Sequence, residues 1–244
     1  MSKTVIITGA SSGIGFALAE AYLKRGYNVV GNARTIARLK QAADKLGNPA
    51  NFVLVPGDIA SAATATALFA RAVDAFGKVD ILVNNAGIFI AKPVGDYTED
   101  DLEALLDTNL KGMFFPTQQA AAHMGANRSG HIVNITASIA MQPNVKVPAL
   151  LPVLIKGGLN HATRALAIEL AASNVRVNAV APGIIATPMH SQDEATQAFF
   201  RTLSPGGATG VTDDIVNAVL YLTESSFTSG AILPVDGGAS AGTW

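Results

Sequence analysis

The residues best placed to do chemistry lie near the start of the chain, in Thr8-Gly9-Ala10-Ser11-Ser12-Gly13-Ile14-Gly15. An apolar run, Val5-Ile6-Ile7, precedes them, and a helical pattern from Ile14 to Arg25 follows. A glycine loop between a strand and a helix brings backbone close to a ligand and aims the helix-start N–H groups at an anion. The chemistry expected here is the holding of a phosphate. The second strand ends in Gly31-Asn32-Ala33-Arg34, with Arg38 one helical turn on. An acid at this place would bond a ribose 2′-hydroxyl, whereas a guanidinium suits a 2′-phosphate. Arg34 therefore favours NADP(H) over NAD(H). Asp58, in Gly57-Asp58-Ile59, follows the third strand and either bonds an adenine amino group or caps the next helix. Asn84-Asn85-Ala86-Gly87 after the fourth strand is a polar cluster that also reads as a turn. Lys156 stands within an apolar helical stretch, where an unpaired ammonium is costly.

These residues need a scaffold that presents strand ends together. Candidate strands are 4–8, 28–31, 52–55, 81–84, 131–135, 176–180 and 231–235. Helical patterns lie between them, at about 14–25, 36–46, 62–76, 99–124, 151–172, 193–203 and 213–223. Strict alternation of strand and helix means βαβ crossovers and an α/β fold, a doubly wound parallel sheet in one domain covering residues 1–244. Ligands of such sheets bind at the carboxyl ends of the strands.

Composition narrows the function. Of 244 residues, 49% are apolar and 14% are charged, enough to bury a large core and too apolar for disorder. The net charge of −1, without basic runs, argues against nucleic acid as a partner. The absence of cysteine excludes disulfides and thiol catalysis. No histidine pair or carboxylate cluster has metal-ligand spacing, so no catalytic metal is expected. Of the histidines, His123 is expected as a cation near a helix end and His190 as a substrate contact. The longest apolar run, Val147 to Ile155, carries two prolines and cannot span a bilayer. Three strongly apolar residues ahead of the first glycine are too few for a signal-peptide core, so a cytoplasmic protein with no membrane partner is expected.

Taken together, the glycine loop, Asp58-Ile59, Asn84-Asn85-Ala86-Gly87, Asn109, Ser138, Pro182-Gly183 with Thr187, and Asp236-Gly237-Gly238 resemble the short-chain dehydrogenase/reductase family along essentially the whole chain. The resemblance implies a Rossmann-like sheet of about seven strands and hydride transfer between a nicotinamide cofactor and a small-molecule alcohol or carbonyl. It also implies a homodimer or homotetramer. By that resemblance Gly9, Gly13, Ile14 and Gly15 meet the pyrophosphate, with Ser11 and Ser12 adding hydroxyl contacts. Arg34 meets the 2′-phosphate, Asp58 and Ile59 the adenine, and Asn85, Ala86 and Gly87 the adenosine ribose. Ile185 and Thr187 hold the nicotinamide amide. Ser12 replaces a residue that is often basic in NADP-preferring members. Ser138, Lys156 and Asn109 fall on the catalytic positions, and Lys156 also bonds the nicotinamide ribose.

One position departs from the pattern. The family carries a tyrosine four residues before the lysine, on the same helix face. Here that place holds Pro152, and no tyrosine lies between Ser138 and Lys156. Proline has no proton to give. Three readings stay open: an oxidoreductase whose proton comes from Lys156 or from a water held by Ser138 and Lys156; an NADP(H)-binding sensor or non-catalytic subunit; and different chemistry on the same scaffold. The segment from about 189 to 209 is expected to form a lid. Its Phe199 and Phe200, with Leu150, Leu151 and Val153, suggest an apolar substrate or an apolar contact surface.

Overall fold

A computed structural model describes residues 2–190 and 193–242. Seven strands, β1 (Thr4–Thr8), β2 (Asn28–Ala33), β3 (Phe52–Pro56), β4 (Ile81–Asn84), β5 (Gly130–Ile135), β6 (Val175–Pro182) and β7 (Ile232–Val235), form one parallel sheet in the order β3-β2-β1-β4-β5-β6-β7. β1 is central, flanked by β2 and β4, so the strand order reverses beside it. The crossovers supply α1 (Gly13–Lys24), α2 (Ile36–Lys45), α3 (Ala62–Phe76), α4 (Glu99–Leu105), α5 (Gly112–Asn127), α6 (Leu150–Glu169), α7 (Glu194–Arg201) and α8 (Thr212–Glu224).

Strands covered on both faces have no polar side to alternate with, which is why they read as continuous apolar runs. Alternate residues still serve different cores. Val5, Ile7, Ile81 and Val83 pack with Leu18 and Tyr22 of α1 and Ile215 and Val219 of α8. Ile6 and Leu82 point the other way, into Leu68 and Phe69 of α3, Met124 of α5 and Ala167 of α6. α8 closes over α1, and the Tyr22 hydroxyl is 3.1 Å from Thr223 Oγ1.

One element differs from the sequence expectation. The stretch 99–124 is not a single α-helix, because residues Leu106–Lys111 form a π-helical turn between α4 and α5. Pro116 lies in the first turns of α5. Having no N–H, it gives the carbonyl four residues back, that of Gly112, no helical donor, and the wider turn ends one residue before that carbonyl. His123 of α5 is also not a cation serving a helix end. Its Nε2 accepts from the Val79 N–H at 3.0 Å, and burial lowers its pKa.

Candidate active site

The ends of β1 and β4 are stapled together. Thr8 Oγ1 accepts from the N–H groups of Asn85 and Ala86, both at 3.0 Å, and the Asn85 amide donates to Thr8 O at 2.8 Å. The glycine loop is built on this staple. Gly9 has φ +69, a left-handed conformation that suits glycine. A Cβ on Gly15 would run into the Gly9 carbonyl and the Asn85 amide, so Gly15 lets α1 seat against the loop. Ser12 makes no side-chain cap on α1, and the first turn holds no acid. The positive end of the helix dipole is thus left to an outside anion.

A cavity of about 650 Å³ runs across these strand ends. Gly9, Ser11, Ser12, Gly13 and Ile14 line it, but Gly15 does not. At one end Arg34 and Arg38 extend from the β2–α2 junction, both exposed. Asn32, buried beneath them, ties β2 to β3 by donating to Val55 O and Gly57 O, each at 3.1 Å. Asp58 lines the same end. Its Oδ1 accepts from Ala60 N at 3.0 Å within a tight turn, and Ser61 is the N-cap of α3, so Asp58 does not cap that helix. Ile59, Asn85, Ala86 and Gly87 also line the cavity, although the Asn85 amide is turned back onto β1.

Lys156 and Ser138 share the other half of the cavity. Lys156 is buried, its Nζ donates to Ile135 O at 2.9 Å, and burial lowers its pKa from 10.5 to about 8. Ser138, also buried, follows β5. Asn109 sits in the π-helical turn behind the wall and does not line the cavity. Its Oδ1 accepts from Ile88 N at 2.9 Å and its Nδ2 donates to Ile88 O at 3.0 Å. Gly87 makes room for both side chains, since a Cβ there would lie 2.9 Å from Asn109 Oδ1 and 3.3 Å from Lys156 Nζ. Pro152 is buried in the first turn of α6, where its missing N–H costs nothing, and is not part of the cavity lining.

The far wall comes from the chain after β6. Ile185 and Thr187 line it, with Ile185 held by a parallel bridge to Gly210. The His190 ring donates from Nδ1 to Ile185 O at 2.8 Å and meets Phe200 edge-on at 5.0 Å. Met189, Phe199, Phe200 and Leu203 complete this wall. Leu150, Leu151 and Val153 do not contribute to the lining, because the start of α6 turns them elsewhere. The expected lid, about 189–209, includes Ser191 and Gln192, which lie outside the described residues. Sequence reasoning missed Gln142, Asn144 and Lys146, which face the cavity from the loop ahead of α6. The clue was a polar stretch between Ser138 and an apolar helix.

Residues 3–198 match the family model for short chain dehydrogenases. The chain belongs to the short-chain dehydrogenase family. Among curated relatives, subunit BbsD of (2S)-[(R)-hydroxy(phenyl)methyl]succinyl-CoA dehydrogenase from Thauera aromatica is 36% identical, with 98% of this chain and 97% of that protein covered. The 3beta-hydroxysteroid dehydrogenase 1 of Eggerthella lenta is 34% identical, covering 97% of this chain and 93% of the relative. Among solved structures, ElxO with NADP bound superposes with a TM-score of 0.92 at 27% identity, covering 99% of this chain and 100% of that one. The 3-ketoacyl-(acyl-carrier-protein) reductase of Brucella melitensis in complex with NADH gives 0.89 at 31% identity, with 98% of each chain covered. The chain is thus an oxidoreductase of the short-chain dehydrogenase type. No helix of the described residues is long and apolar enough to cross a membrane, and no group among them could hold a metal ion.

Proposed function

We propose that this short-chain dehydrogenase is an NADP(H)-dependent oxidoreductase acting on a small, largely apolar carbonyl, alcohol or imine, with a proton donor other than tyrosine. The observation that carries the reading is the buried Lys156, which shares one cavity with Ser138 and the uncapped glycine loop. The glycine loop and the α1 start hold the pyrophosphate, and Arg34 with Arg38 holds the 2′-phosphate. Asp58 and Ile59 border the adenine; Ile185 and Thr187 orient the nicotinamide amide. The dihydronicotinamide supplies the hydride. Ser138 hydrogen-bonds the substrate oxygen, and Lys156 bonds the nicotinamide ribose. Pro152 stands at the family's tyrosine position and has no proton to give. The proton therefore comes from Lys156, directly or through a water held with Ser138. An ammonium whose pKa is lowered to about 8 is a better acid than an ordinary lysine. Asn109 acts indirectly, by fixing the Ile88 backbone beside the site. One domain with a lid over about 189–209, assembled as a homodimer or homotetramer in the cytoplasm, completes the reading.

A second reading is an NADP(H)-binding subunit with little turnover. The burial of Pro152 outside the cavity favours it, as does a relative named as a dehydrogenase subunit. The test is NADPH binding and oxidation over a panel of ketones, diketones and imines, with Pro152→Tyr alongside. Turnover by the wild type supports the first reading, and its loss in Lys156→Ala supports the assignment of the proton. Tight NADPH binding with turnover only in Pro152→Tyr establishes the second.

A further inference from the structure

Hydride addition to a carbonyl leaves negative charge on its oxygen, and donors aimed at that oxygen lower the barrier. Pro152 supplies no such donor. The amide side chains that line the cavity are mostly occupied. Asn32 Nδ2 donates to Val55 O and Gly57 O, Asn85 Nδ2 donates to Thr8 O, and Asn144 Oδ1 accepts from Lys146 N. Gln142 differs, since among the described residues neither of its amide atoms has a hydrogen-bond partner. Its place is set by the backbone after β5. Ser138–Ala140 form a short 3-10 turn, and Ser138 O accepts from Met141 N at 2.8 Å and from Gln142 N at 3.1 Å. Gln142 therefore stands one helical turn beyond Ser138, at the spacing that puts two side chains on the same face. Both residues line the cavity, and the Ser138 hydroxyl likewise has no partner among the described residues.

We propose that Gln142 and Ser138 donate together to the substrate oxygen, so that Gln142 stabilises the charge a tyrosine hydroxyl would otherwise meet. The inference rests on the oxidoreductase reading. A carboxamide N–H holds the oxygen without itself giving up a proton. The steps balance. The carbonyl carbon gains the hydride and a C–H bond, and the C=O π pair moves onto the oxygen held by Ser138 and Gln142. The alkoxide then takes a proton from Lys156, which regains one from solvent. A hydrogen bond to a neutral oxygen is worth about fivefold in binding, whereas one to the developing alkoxide is worth roughly 30-fold in rate. Loss of Gln142 therefore falls on kcat more than on KM.

The test has a binding arm and a kinetic arm. Methyl phenethyl sulfoxide carries an oxygen that accepts hydrogen bonds like a carbonyl but is not reduced by NADPH, and methyl phenethyl sulfide lacks that oxygen. Both are titrated by calorimetry into the protein in the presence of NADPH, and reduction of benzylacetone, the ketone of the same shape, is followed in parallel. Gln142→Leu should weaken the sulfoxide about fivefold and leave the sulfide and NADPH unchanged. It should lower kcat for the ketone roughly 30-fold with a smaller change in KM. Gln142→Glu separates hydrogen bonding from packing. Ionised at pH 7, its carboxylate repels the sulfoxide oxygen; as pH falls toward about 4.5 it protonates and donates, so its sulfoxide affinity rises relative to the wild type. Sulfoxide binding unchanged in Gln142→Leu, an equal loss for sulfoxide and sulfide, no sulfoxide binding at all, an unchanged kcat, or a Gln142→Glu pH profile parallel to the wild type overturns the proposal. Gln142-dependent sulfoxide binding without reduction of any ketone sustains the donor pair and defeats the oxidoreductase reading, so the two failures are distinct.

Discussion

Replacing Lys156 by Met is expected to make the protein more stable at neutral pH. The side chain is buried, and the drop in its pKa from 10.5 to about 8 arises from desolvation. At about 1.4 kcal/mol per pKa unit, the charged form costs about 3 kcal/mol relative to the neutral amine. Met has a similar length and no polar head, but it gives up the bond to Ile135 O, worth about 1 kcal/mol. The net gain is about 2 kcal/mol, or a rise in Tm of roughly 4–8 °C for a chain of this size. The pH dependence supplies a second check. Unfolded lysine keeps its proton up to about 10.5 and the folded one only to about 8, so between these values the unfolded state binds more protons. Wild-type stability therefore rises with pH across that window, and the full penalty is present below it. Urea unfolding followed by circular dichroism, without nucleotide, at pH 7 and pH 10 measures both effects. The advantage of Lys156→Met should be largest at pH 7 and shrink at pH 10. A less stable Lys156→Met protein at pH 7, or an equal difference at both, refutes the argument that the ammonium is held at a cost. Such a cost is expected where a charge is kept for function.

Two further outcomes follow from the cofactor end. If Arg34 holds the 2′-phosphate as proposed, Arg34→Ala should weaken NADPH binding about tenfold in a fluorescence titration while leaving NADH within about twofold, since the charge-assisted bond lost is to the 2′-phosphate alone. Equal loss for both nucleotides removes the basis for the NADP preference. Gly15→Ala should lower Tm by several degrees and abolish nucleotide binding, because its Cβ meets the Gly9 carbonyl and the Asn85 amide and the loop must move. Near-native affinity in a folded Gly15→Ala protein shows that the loop is less tightly seated.

Local sequence carried the sheet well, because each strand is an apolar run ended by glycine or a polar residue. Val5-Ile6-Ile7 could be little else than a strand covered on both faces, and that is how it is packed. The glycine loop's place between β1 and α1 was legible for the same reason, since it is contained in eight consecutive residues. The π-helical turn was not legible, since apolar spacing around Leu105 and Met113 continues smoothly through it. The position of Asn109 behind the cavity wall depends on that turn. Asn85 lines the cavity as expected of a ribose contact, but the pairing of its amide nitrogen with Thr8 O, 77 residues away, has no signal in the local sequence. Gln142, Asn144 and Lys146 carry no pattern of their own. What they face is decided by where the chain after β6 lies.

The position of β1 bears on how the chain is made. β1 and α1 are synthesised well before α8, yet the Tyr22 face of α1 is covered by α8, and Tyr22 meets Thr223 across 201 residues. At about 5–20 residues per second, that interval is roughly 10–40 s of ribosome time. Throughout it, Leu18, Ala19 and Tyr22 present an apolar surface without its lid. A nascent chain released before residue 212 has both a growing parallel sheet and an open helix face. It is a natural client for chaperones that hold hydrophobic surface, and slow parallel pairing prolongs the exposure.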